Sequence, residues 1–144
     1  MRTSSAQTWS RLIGWTLVVA GIVGFFYSSA FGSPGETDAV FGVLDVNGFH
    51  NVVHVASGAL GIVMARSFSG ARLYCLLLAG VYTLVAIWGF ALGDGGAILS
   101  IVPVNTEDNF LHAFIALVSL VVGLSQPAAP APSSTEPGPG FRYN

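Results

Sequence analysis

The fold of this chain is decided by the nine residues VNGFHNVVH at positions 46–54, which recur as VNTEDNFLH at positions 104–112. Matched residues lie 58 positions apart, and each copy opens a long apolar run. Asn and His are costly inside such a run, so their presence twice in one register indicates a shared structural or chemical role. The match continues through small residues at three further positions, namely Gly58 with Ala116, Gly61 with Ser119 and Ala65 with Gly123.

The composition is that of an integral membrane protein. Of the 144 residues, 53% are hydrophobic and only 8% are charged, whereas a soluble domain carries about 25% charged residues. The mean hydropathy is +0.70. The net charge of −2 leaves no basic patch for nucleic acid. The predicted partners are therefore the lipid bilayer and other membrane proteins within it. The single Cys75 excludes an intrachain disulfide.

Four apolar segments are evident, at approximately residues 9–27, 48–65, 71–92 and 106–124. Each approaches the roughly 20 residues that a helix needs to cross a bilayer, and backbone in lipid must satisfy its own hydrogen bonds. We therefore predict an all-α bundle of four transmembrane helices over residues 1–125. Residues 126–144 are rich in Pro, Ala, Ser and Gly and are predicted to form a disordered cytoplasmic tail.

The arginines predict the orientation in the membrane. They precede the first segment, flank the link between the second and third, or lie in the tail: Arg2, Arg11, Arg66, Arg72 and Arg142. The positive-inside rule then places both termini in the cytoplasm. The first segment, followed by Ser28-Ser29-Ala30, also resembles a cleaved signal peptide. We expect it to be retained, because its Gly24-Phe25 is echoed by Gly89-Phe90 in the third segment.

The duplicated unit is a helix hairpin, with segments one and two forming the first copy and segments three and four the second. Because each unit crosses twice, the copies should be related by a pseudo-two-fold axis along the membrane normal. The repeated polar and small residues are spaced 4, 3, 4, 3 and 4 apart, which keeps them on one helix face. Small residues allow close approach in lipid, so we expect the second and fourth helices to meet along this face.

The polar residues of this face form a candidate site. Asn47 and Asn105 stand just before their helices and are predicted N-caps. Asn51 and Asn109 are predicted to hydrogen-bond across the seam or to the histidines and so to have a structural role. His54 and His112 lie one turn deeper. This structural role of the asparagines predicts a structural or interaction protein, such as an accessory subunit of a larger membrane complex. No nucleophile–base pair in the sequence points to an enzyme.

Two further functions fit the same residues. His54 and His112 on facing helices are the arrangement that holds a b-type haem. A zinc or copper ion is the other candidate ligand, since imidazole and carboxylate bind both metals; its predicted ligands are His50, His54, Asp108 and His112. A third hypothesis is a small transporter or channel lined by the polar face.

Three stretches resemble an uncharacterised bacterial family of small four-helix membrane proteins, known as a domain of unknown function. They are residues 46–54, residues 88–96 (WGFALGDGG) and residues 103–112 (PVNTEDNFLH). The resemblance covers about residues 10–124. It implies a location in the bacterial inner membrane and supplies no activity, substrate or cofactor.

Overall fold

A computed structural model describes residues 3–32 and 38–126. The described residues are mostly helical, as predicted. The helices are α1 (Ser5–Tyr27), α2 (Gly48–Met64), α3 (Phe68–Leu92) and α4 (Thr106–Ser125). Four short strands lie between them, as β1 (Asp38–Val40), β2 (Leu44–Val46), β3 (Gly96–Ile98) and β4 (Val102–Val104). Beyond Gln126, the predicted tail lies outside the described residues.

Local capping explains why two helices begin earlier than predicted. Ser4 and Gln7 form a reciprocal capping box, so α1 begins at Ser5 instead of near Trp9. The Ser67 side chain accepts a hydrogen bond from the Gly70 backbone over 3.0 Å, which starts α3 at Phe68. Both caps are polar and precede the apolar run, so hydropathy alone does not reveal them.

The loops between the paired helices are β-hairpins, which the prediction of an all-α fold missed. β1 pairs with β2 and β3 with β4, both antiparallel and in equivalent registers. Both turns contain positive φ angles, at Phe41 and Gly42 in the first and at Leu99 and Ser100 in the second. Bulky residues rarely adopt this conformation. The two turn sequences also lack the Asn-Gly or Asp-Gly pair that usually predicts a hairpin turn, so nothing in the sequence indicated these hairpins.

The prediction that α2 and α4 meet along their small residues is wrong. Each helix pair is packed within itself, α2 against α1 and α4 against α3. A Cβ built on Gly58 would lie 2.5 Å from the carbonyl oxygen of Gly14 in α1, so these two backbones are in direct contact. A one-sided pattern shows that a helix is closely packed on that face, but not which neighbour packs there.

The centre of the bundle is a buried cluster drawn from α1, α3 and α4, and it includes Leu17, Leu78, Tyr82 and Ile115. Helices α1, α3 and α4, of 23, 25 and 20 residues, are long and apolar enough to cross a membrane. Helix α2 is apolar and has 17 residues. The outward faces carry large exposed apolar side chains such as Leu84 and Phe114. Such surfaces indicate a membrane protein, because lipid is the solvent that tolerates them.

Candidate functional site

The two predicted N-cap asparagines cap their helices. The Oδ1 atom of Asn47 accepts a hydrogen bond from the His50 backbone, and that of Asn105 accepts one from the Asp108 backbone, both over 2.9 Å. Asn47 is almost fully buried. These contacts fix where α2 and α4 begin and so the depth of every later residue on their polar faces.

The same two asparagines also connect the two halves of the molecule, the first running from α1 to α2 and the second from α3 to α4. Asn47 donates from Nδ2 to the carbonyl oxygen of Ile101 over 2.7 Å. Asn105 donates from Nδ2 to the carbonyl oxygen of Val43 over 2.6 Å. Val43 and Ile101 occupy equivalent positions, each directly before the second strand of its hairpin. Each half therefore supplies the donor for the other half's hairpin, in a reciprocal contact that we call the asparagine clasp.

Asn51 and Asn109 are predicted to hydrogen-bond across a seam between α2 and α4 or to the histidines, and among the described residues they do neither. Asn51 donates from Nδ2 to the carbonyl oxygen of Ser28 at the end of α1, over 2.8 Å. Its Oδ1 packs on Gly24, and the Oδ1 of Asn109 packs in the same way on Gly89 of α3. No side chain fits at either glycine, because a Cβ there would overlap the Asn side chain. These asparagines therefore join the helices within each half.

The chain's three histidines converge between the two halves. Candidate ligand atoms of His50, His54 and His112, one from each ring, all lie within 4.8 Å of one another. The Nε2 atoms of His50 and His54 are 3.2 Å apart. The ring centroid of His112 lies 6.2 Å from that of His50 and 6.4 Å from that of His54. We call these residues the histidine cluster. His50 and His112 are buried and His54 is partly buried.

Asp108, the fourth predicted metal ligand, lies beside the histidine cluster without being one of the three residues that converge. It is 2% exposed, and its Oδ2 has no hydrogen-bond partner among the described residues. Asp108 lines the same cavity as His54 and His112. Its position one turn before His112 places its carboxylate nearer the start of α4.

The cavity has a volume of about 590 Å³ and is mostly apolar. Helix α1, the first hairpin and α4 supply most of its wall, and His54 and Tyr82 reach it from α2 and α3. Two of its lining residues, Trp15 and Phe41, are 59% and 79% exposed. The cavity therefore runs from the outer, lipid-type surface of the helices inward to polar groups.

Acidic side chains surround the same end of the bundle. Burial raises the pKa of Asp45, and the negative charges of Asp94 and Glu107 raise it further. The pKa of Asp94 shifts in the opposite direction. It accepts hydrogen bonds from the Thr106 hydroxyl over 2.7 Å and backbone over 2.9 Å, and these bonds lower its pKa. The Gly-rich stretch around Asp94 is a turn whose carboxylate supports the start of α4.

Tyr82 is the residue of this site that the sequence interpretation missed. It is 5% exposed, and its ring lies 5.0 Å from that of His112, nearly perpendicular to it. Its hydroxyl has no hydrogen-bond partner among the described residues. The Ser57 hydroxyl lies near it; it donates to the carbonyl oxygen of His54 over 3.2 Å, and its oxygen keeps lone pairs that can accept from Tyr82 after a small rotation. A tyrosine in the middle of an apolar helix was the available signal.

The fold and site define a helical protein with membrane-length helices and a buried polar centre near one end. The family described as "Domain of unknown function (DUF4383)" matches residues 7–125, and the chain belongs to it. This match confirms the resemblance to an uncharacterised family. No curated protein and no solved structure showed a significant match to the chain.

Proposed function

We propose that this protein is a membrane protein that binds one transition-metal ion, zinc or copper, at the histidine cluster. The observation that carries the proposal is the convergence of three imidazoles, two buried and one partly buried, with candidate ligand atoms within 4.8 Å of one another. A tetrahedral zinc ion with Zn–N bonds of 2.0–2.1 Å requires nitrogen atoms about 3.3 Å apart. The 3.2 Å between His50 Nε2 and His54 Nε2 matches that spacing.

The surroundings favour an ion over other occupants. His54 and His112 line the cavity as well as the cluster, so a fourth coordination position is accessible to water or to a small ligand. Three protein ligands and one open position are the arrangement of catalytic zinc sites. A haem held by His54 and His112 would have to displace His50, whose ring centroid is 4.5 Å from that of His54.

The proposal includes four membrane crossings in the bacterial inner membrane, with both termini in the cytoplasm. At 1.5 Å per residue, α2 is about 25 Å long, close to the bilayer's hydrocarbon thickness of about 30 Å. The described arginines Arg11, Arg66 and Arg72 lie toward the end where α1 begins and α2 ends. Asp45, Asp94 and the histidine cluster lie toward the opposite end. The positive-inside rule then faces the metal site outward.

Metal titration tests the proposal. The protein is purified without a polyhistidine tag, stripped with a chelator and titrated with Zn²⁺ and with Co²⁺ as a coloured probe. We expect one equivalent to bind. Because the chain has three histidines, His50→Ala, His54→Ala and His112→Ala should each weaken binding by tenfold or more. The matched control is Cys75→Ala, which removes the free thiol, and it should leave metal binding unchanged.

A second candidate function is favoured by a specific observation, the asparagine clasp. A purely structural or accessory protein would need the clasp and no ion. Binding of less than one tenth of an equivalent of metal to wild-type protein, or binding unaffected by the His54 and His112 substitutions, would contradict the metal site and favour this structural function. A reducible Soret band in the purified protein would instead favour haem.

A further inference from the structure

The deep end of the cavity is lined by residues that carry unpaired polar atoms. Tyr82 Oη, Asp108 Oδ2 and His112 Nδ1 have no hydrogen-bond partner among the described residues. Their residues are 5%, 2% and 5% exposed, and all three line the cavity. A buried polar atom without a partner costs about 1–3 kcal/mol. All three residues stand at the deep end of one apolar cavity, where the polar group of a bound ligand can supply partners that the described residues do not.

The chemistry of the walls limits what that ligand is. The cavity volume of about 590 Å³ is that of a small-molecule site. Its remaining lining is almost entirely apolar, with Leu12, Val19 and Leu111 at its exposed margin. The occupant therefore has an apolar body that enters from the bilayer, and a head that exchanges hydrogen bonds with hydroxyl, carboxyl and imidazole groups.

The head group is uncharged. Among the described residues, neither lysine nor arginine lines the cavity, and acidic residues including Asp45, Asp94 and Glu107 lie around this end of the bundle. A phosphate head group would meet negative charges without a cation to pair with it, which is unfavourable. Aromatic rings stand at the cavity as well, namely Trp15 and Phe41 at its margin and Tyr82 deeper inside. Such rings pack favourably on a flat ring.

We infer that this cavity is a binding site for a neutral, lipid-soluble quinone or quinol, whose ring oxygens hydrogen-bond with Tyr82, Asp108 and His112. The site goes beyond the proposed metal function, although His112 contributes to both. The apolar tail of the quinone lies along the groove between α1 and α4 and continues into the bilayer.

Quenching of tryptophan fluorescence tests the site, with decylubiquinone as the probe and full-length protein in phosphatidylcholine nanodiscs. Because Trp15 lines the cavity, we expect saturable quenching that is largely lost in Trp15→Phe. Tyr82→Phe removes one hydroxyl and retains the ring, and it should weaken binding several-fold. Ala20→Phe fills the cavity from α1 and should weaken binding tenfold or more. The matched control, Leu84→Phe on an outward face of α3, should bind as the wild type does.

Saturable quenching retained in Ala20→Phe, or absent from the wild type, would overturn the inference. If Ala20→Phe is not folded by size-exclusion chromatography, Val23→Phe from the same wall replaces it. Displacement of the quinone by an equal concentration of monoolein, a neutral lipid without a quinone ring, would overturn the assignment to a quinone. Each titration is run on chelator-treated and zinc-loaded protein. Zinc binding without quinone binding contradicts the cavity site alone, and quinone binding without zinc binding contradicts the metal site alone.

Discussion

Asn47 and Asn105 each cap one helix and, with the same side chain, hold the hairpin that precedes the other helix. The two donated bonds, of 2.7 and 2.6 Å, end on the equivalent carbonyls of Ile101 and Val43. A single amide side chain thus sets the start of a helix and joins the two halves at the end that carries the histidine cluster. The position of the histidines depends on this contact.

Substitution of Asn47 separates its two roles. Asn47→Ser retains a cap acceptor and removes the Nδ2 donor, so we expect a loss of about 1 kcal/mol of stability. Asn47→Ala removes both and should cost about 2 kcal/mol. The measurement is the free energy of unfolding by SDS titration in mixed micelles. Thr83→Ala on an exposed face of α3 is the control and should change little. Equal stabilities of Asn47→Ala and wild type would contradict the clasp.

Glycine substitutions test the packing within each helix pair. A Cβ at Gly58 would meet the backbone oxygen of Gly14 at 2.5 Å, whereas one at Gly80 would meet nothing within 4 Å. Gly58→Ala should therefore destabilise the protein by about 1–3 kcal/mol through overpacking. Gly80→Ala should be neutral or stabilise by up to about 1 kcal/mol. Thermal melting in detergent compares them, and similar melting temperatures for the two variants would contradict the close contact of α1 and α2.

The contribution of Asp94 should depend on pH. Hydrogen bonds from Thr106 lower the pKa of Asp94 below its ordinary value of 3.8. The ionised carboxylate therefore stabilises the fold above that value, and this stabilisation is lost as the pH falls through the lowered pKa. Asp94→Ala should melt below the wild type at pH 7, and the difference should shrink below about pH 4. Thr106→Ala retains the backbone bond, so its effect should be smaller. A difference that does not change with pH would exclude this role of the charge.

Cysteine labelling tests the orientation. In a Cys75→Ala background, Ser100→Cys lies in the turn between β3 and β4, and Ser69→Cys lies at the start of α3; both positions are exposed. A membrane-impermeant maleimide should label Ser100→Cys in intact cells and Ser69→Cys only after permeabilisation. The reverse pattern would invert the orientation. Labelling of both in intact cells would contradict four crossings.

The parts of the structure that depend on nearby residues could be predicted from the sequence. An apolar run in lipid has to be helical, and an Asn directly before it is an efficient cap. Helices α2 and α4 and their N-caps were therefore predicted correctly. The hairpins were not predicted, because their turns adopt positive φ angles at Phe41 and Leu99 without the residues that usually mark such turns.

The candidate site was predictable only in part. The spacing places Asn51 and His54 on one face, but one face of α2 contacts both α1 and the centre of the bundle, and periodicity does not separate those neighbours. Asn51 therefore packs on Gly24 while His54 lies near His112. Tyr82 comes from α3, outside the repeated motif, and its approach to His112 depends on how the two pairs are assembled.

The reciprocity of the asparagine clasp gives the two halves the kind of contact that two separate copies of one chain make. One half contains both an asparagine donor and a carbonyl acceptor, and mutual contacts of this kind are those that a two-fold homodimer makes. A polypeptide half as long could close both bonds with a second copy of itself. The two halves differ at this end, because His50 in the first occupies the position of Asp108 in the second.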